Sequence, residues 1–109
     1  MLVLDFSQLR NVTMNDEALM REVVDALVSE VSQQIDGLSR AVQRGDIKAC
    51  VKVAHNAQGA CGNVGAASMA AVFSSLERQA ADGNLGLCRS SIEALSFELE
   101  KLRREVDSL

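Results

Sequence analysis

The chain has 109 residues, a formal charge of −4, 48% apolar residues, no Pro or Trp and three Phe. That length suits one domain, residues 1–109, with a core large enough to need no metal or disulfide staples, and the composition is that of a helical globule rather than a disordered segment. Acidic balance and few aromatics argue against nucleic-acid binding, which draws on basic patches and stacking rings.

The N-terminal stretch "MLVLDFSQLR" is apolar only briefly and meets Asp5 at once, so it does not read as a secretory signal; Leu4 to Val12 is expected to form a short helix over one end of the fold. Thr13 or Asn15 can cap the next helix, and Asp16 and Glu17 suit its positive end. Apolar residues then recur at Leu19/Met20, Val23/Val24, Leu27/Val28, Val31, Ile35, Leu38 and Val42, one long amphipathic helix. Gly45 supplies a left-handed terminus and Asp46 caps the following helix. A second stripe runs Ile47, Cys50, Ala54, Ala57, Cys61 and Val64. Gly65 breaks it. Met69, Val72, Phe73, Leu76 and Ala80 make a third face, "DGN" turns at Gly83, and Cys88, Ile92, Leu95, Leu99, Leu102 and Val106 make the last. No strand pattern appears. The fold class is therefore all-α: an antiparallel up-and-down four-helix bundle with a short additional N-terminal helix.

The three cysteines form no C-x-x-C pair and fall on inward stripes, so they are expected as small buried hydrophobes of a reducing, cytoplasmic compartment. From His55 to Leu76 there is no formal charge, yet Asn56, Gln58, Asn63 and several Ser and Gly make the stretch too polar to span a bilayer.

His55 is the lone histidine. At about 100° per residue it projects about 130° from the centre of its helix's inward stripe, so it faces water. Its neighbours on the wheel are Lys48, Val51 and Lys52 before it, and Gln58, Gly59 and Gly62 after it. Each interior glycine should cost about 1 kcal/mol relative to alanine, which calls for a reason: room for something to approach the backbone. One histidine without companion ligands does not make a metal site. No strand precedes "GACGNVG" and no "GK[ST]" follows it, so no nucleotide loop is signalled. What fits is a nucleophile serving another protein. A neutral imidazole attacks phosphorus readily, phosphoryl transfer needs mostly positioning and charge neutralisation, and Lys48 or Lys52 can steady the transferred group.

The segment "VAHNAQGACGNVGAASMAAVFSSLE", Val53 to Glu77, resembles the signature of histidine-containing phosphotransfer (HPt) domains, A-H-x-L-K-G-x-x-x-x-x-G-A followed by a helix ending in L-E. "LDFSQL", "RGDIKACVKVAH" and "DGNLGLCRSSIEAL" extend the similarity over nearly the whole chain. The resemblance implies a phosphoryl carrier rather than an enzyme, with His55 as phosphoacceptor, Gly59 as the clearance residue, and a response-regulator receiver domain or a sensor histidine kinase as partner. It implies no cofactor on this chain, with Mg²⁺ belonging to the receiver. Where the family usually has Lys three positions after the histidine, this chain has Gln58, neutral but able to hydrogen-bond a phosphoryl oxygen; Lys52, on the same face, can substitute. Lys48, Val51, Gly59 and Gly62 are the expected docking residues. The alternative from a different class is a non-phosphorylated bundle that docks a signalling partner through the same face. A monomer is expected, and the starting Met leans towards a free-standing protein rather than an excised domain.

Overall fold

The computed structural model describes residues 4–108. Five helices follow one another: α1 (Phe6–Val12), α2 (Glu17–Arg44), α3 (Ile47–Asn63), α4 (Ala67–Ala81) and α5 (Leu85–Asp107). The four long ones close a ring, α2 on α3, α3 on α4, α4 on α5 and α5 back on α2, in a body measuring 42 × 21 × 20 Å. This is the bundle that the four stripes and three glycine turns predict, because each helix has one apolar face to bury and connections too short for anything but an antiparallel neighbour.

The stripes form the core nearly as read. Val24, Val31, Leu38, Cys50, Ala54, Ala57, Cys61, Met69, Phe73, Leu76, Ala80, Cys88, Leu95 and Leu102 are all fully buried. Ile47 departs from the pattern and is 40% exposed. It is the first residue of α3, where the helix emerges from the end of the bundle and has no full turn of neighbours to cover it.

Gly45, Gly65 and Gly83 take the positive φ values 69°, 85° and 77° that end α2, α3 and α4. Asp46 and Asn84 cap α3 and α5 through hydrogen bonds accepted from the backbone N–H of Ala49 and Leu87, each 3.1 Å long. The start of α2 differs from expectation. Its cap is Asp16, whose carboxylate accepts from the Leu19 N–H at 3.1 Å, and neither Thr13 nor Asn15 serves. Thr13 is buried at the end of α1, donating its hydroxyl to the Leu9 carbonyl at 2.7 Å. Met14 and Asn15 both sit at positive φ, so Asn15 lies outside the extended conformation that a cap requires.

Candidate functional site

Cys50, Ala54, Ala57 and Cys61 hold α3 to the core, and that orientation fixes where the opposite face points. His55 stands on it with its side chain 71% exposed. Its Nδ1 lies 2.7 Å from Oε1 of Glu77, on the neighbouring α4, and this is the only hydrogen bond or ion pair of His55 among the described residues. An ionised carboxylate can only accept, so in the neutral ring this contact favours the tautomer with the proton on Nδ1 and the lone pair on Nε2. The side chain of Glu77 is itself only 25% exposed, which lowers the water competing for the contact and strengthens it.

Around the ring the helix spacing delivers the expected neighbours. Lys48 and Lys52 are exposed on the two turns before it, Val51 and Gln58 are half-buried between it and the core, and Gly59 and Gly62 are exposed on the two turns after it. A Cβ added to Gly59 or Gly62 would meet nothing within 4 Å, so the packing of this chain does not demand glycine at either place. Both leave the backbone beside the imidazole uncovered. Among the described residues neither Lys48 nor Lys52 has an ion-pair partner, and neither Lys52 nor Gln58 is hydrogen-bonded to His55. Both ammonium groups are exposed on the face that carries His55.

Other chemistry finds little support. The three thiols are fully buried, and desolvation pushes each up from its ordinary value, that of Cys61 to about 12, with Glu30 adding to the effect. A buried neutral thiol is a poor nucleophile. The described residues contain no group of three or more His, Cys, Asp or Glu placed to hold a metal ion, and none of their helices is long and apolar enough to cross a membrane. A hollow of about 530 Å³, lined by Arg10, Asn15, Met20 and Arg21 among others, opens at the α1–α2 turn and includes none of the residues around the imidazole.

Glu77 is the site residue that the sequence reading does not single out. Its signal is present, since it is the closing Glu of the L-E pair in the quoted segment, but nothing in periodicity says that a residue 22 positions along will return to the histidine.

The four long helices thus carry one exposed imidazole on α3, oriented by a carboxylate of α4. The Hpt domain family model matches residues 22–107, and the chain belongs to that family. The structure is also similar to the crystal structure of histidine-containing phosphotransfer protein B (HptB) from Pseudomonas aeruginosa PAO1, with a TM-score of 0.88 and 26% sequence identity over 97% of this chain and 92% of that one. Among curated protein sequences nothing matches. The protein is a histidine phosphotransfer component of a phosphorelay.

Proposed function

We infer that His55 is the phosphoacceptor and that its Nε2 is the nucleophile. The observation that carries this is the 2.7 Å contact between Nδ1 and Glu77 on a ring that is otherwise open to solvent. It orients the imidazole, selects the tautomer and leaves a single nitrogen able to attack. The donor is an aspartyl phosphate of a receiver domain or the phosphorylated site of a sensor histidine kinase, and a receiver aspartate takes the group onward. Catalysis is mainly the partner's, whose pocket positions the phosphoryl group and supplies any Mg²⁺; this chain contributes the nucleophile and its setting and binds no cofactor of its own.

Lys52 and Gln58 flank the phosphoryl position, the first as a mobile cation and the second as a neutral donor. Lys48, Val51, Gly59 and Gly62 form the docking surface. The glycines lower it where the partner's loops must descend, and the lysines attract its acidic pocket. The protein works as a monomer in the cytoplasm.

Incubation with a phosphorylated receiver domain tests the assignment. Acid-labile label should appear on the wild type and be absent from His55→Gln. Label that survives this substitution removes His55 from its role. If unlabelled His55→Gln still supports signalling while Gly59→Glu abolishes partner binding, the face serves docking alone.

A further inference from the structure

The turn between α1 and α2 leaves a hollow of about 530 Å³ whose rim carries two arginines, Arg10 from the last turn of α1 and Arg21 from the second turn of α2. Among the described residues neither guanidinium has an ion-pair or hydrogen-bond partner. Ala18 and Met20 supply an apolar lining, and Glu17 adds a single carboxylate, so the hollow is net positive in a chain of net charge −4. Met14, at the same turn, is 87% exposed and holds a φ of 54°, a left-handed conformation that favours glycine. Stability is thus given up there to display a long apolar side chain to solvent.

This hollow lies off the histidine face. Arg21 comes about three helical turns before Ser32 and shares its stripe of α2, and Ser32 and Asp36 border Ser96 and Arg103 of α5. Arg21 therefore stands on the flank that α2 shares with α5, while α3 packs on another. The lining residues also all precede residue 22, where the match to the family model begins, so the hollow is built from a part of the chain outside that match.

We propose that the hollow is a second docking site, for an acidic segment of a partner protein that lowers one apolar side chain between flanking carboxylates. Guanidinium forks suit carboxylates, and the flexible thioethers of Met14 and Met20 adapt to the apolar group. A free phosphate or acetate would fill only a small part of the volume and leave Met20 uncovered. Anionic membranes are drawn by clusters of about four to eight basic residues, whereas here two arginines stand among Asp16, Glu17 and Glu22. The end of α2 is not the attraction, because the Asp16 carboxylate already accepts from the Leu19 N–H. A segment seated in the hollow leaves the imidazole face open. On the reading of His55 as acceptor, a partner anchored here is held close while a receiver domain works at the ring, which raises the effective concentration of the reacting pair.

The test titrates the nitrogen-15-labelled full chain with a synthetic capped peptide in which a central phenylalanine is flanked on each side by a pair of aspartates. Amide signals of Arg10, Met14, Asn15 and Arg21 should shift saturably, and the affinity should fall with added salt. Replacing the phenylalanine by serine, or the aspartates by asparagines, should weaken binding by roughly tenfold. Arg10→Gln combined with Arg21→Gln should abolish the saturable shifts in a chain whose spectrum is otherwise folded. Met14→Gly should weaken binding severalfold without lowering the melting temperature, because glycine accepts the left-handed φ. Absence of saturable shifts, equal shifts from the serine peptide, or binding that survives the double arginine change overturns the site. Equal shifts from inorganic phosphate alone reduce it to an anion site, and binding to phosphatidylglycerol vesicles in place of the peptide assigns it to a membrane; either result overturns the proposal. Label transfer to His55 from an isolated phosphorylated receiver domain should be unchanged in the double variant. A slower transfer overturns the separateness of the two sites, whereas absence of label on the wild type overturns the role of His55 and leaves the peptide result standing.

Discussion

The backbone N–H of Asp5 donates to the carbonyl of Gly65 at 2.9 Å, fastening the start of α1 to the turn that ends the histidine helix. Gln8 extends the seam, its side-chain amide donating to the carbonyls of Gly62 at 3.2 Å and Asn63 at 3.3 Å. These are the carbonyls that a helix leaves without internal partners at its C-terminus. The short helix therefore closes the end of α3, and the position of the face that carries His55 depends partly on a segment far from it in the chain.

Gly65→Ala should destabilise the fold by about 1–3 kcal/mol, since the residue sits at φ 85° and a new Cβ would lie 3.1 Å from the Asp5 carbonyl oxygen. Chemical denaturation measures it. A variant as stable as the wild type would mean that the seam is dispensable.

Gly59→Ala should do the reverse. Its position is helical and its Cβ meets open space, so stability should rise by about 0.5–1 kcal/mol. Transfer from a phosphorylated receiver should slow at the same time, because the methyl group fills room reserved for the partner. A thermal melt and a transfer assay on one preparation separate the two effects, and a variant that is more stable and equally fast would show that the clearance is unused.

Leu95→Ala and Leu99→Ala should each cost about 2–5 kcal/mol by opening a cavity under α5, where Leu95 is fully buried and Leu99 is 7% exposed. Urea unfolding midpoints decide it. Indifference to both changes would contradict the packing of the fourth stripe.

Lys52→Ala should leave the melting temperature nearly unchanged, as the side chain is exposed and has no ion-pair partner among the described residues. The phosphorylated form should decay faster. Pulse-chase of the acid-labile label gives the lifetime, and an unchanged value would take Lys52 out of the phosphoryl environment.

Burial raises the Cys61 thiol from its ordinary 9.0 to about 12 in the folded chain. Below about pH 9 both states hold the proton and the thiol has no effect on the balance; between about pH 9 and about pH 12 only the unfolded chain releases it, so stability falls with rising pH over that window. Cys61→Ala should make the alkaline decline shallower in denaturant titrations. All three native thiols should also resist alkylation near neutrality and react together on unfolding.

Much of this architecture is written in local terms. Apolar residues in alternating steps of three and four define four inward faces, and Gly45, Gly65 and Gly83 mark the ends of helices because a left-handed residue is a local requirement. The exposure of His55 comes from the same arithmetic, since placing Ala54 and Cys61 inward leaves little choice for its neighbour. The cap of α2 is less legible: Thr13, Asn15 and Asp16 are all competent capping residues, and the choice falls to whichever has extended backbone after the chain reverses direction between two packed helices.

His55 meeting Glu77 belongs to tertiary structure alone. A helix wheel reports which residues share a face of one helix, but the rotation of α4 against α3 is set by how Met69, Phe73, Leu76 and Ala80 fill the common core, and only that packing turns Glu77 towards the imidazole. The sequence by itself placed an imidazole on an open surface with two lysines and two glycines beside it. Which of its nitrogens is engaged was decided between helices, where a carboxylate from one meets a ring from the other.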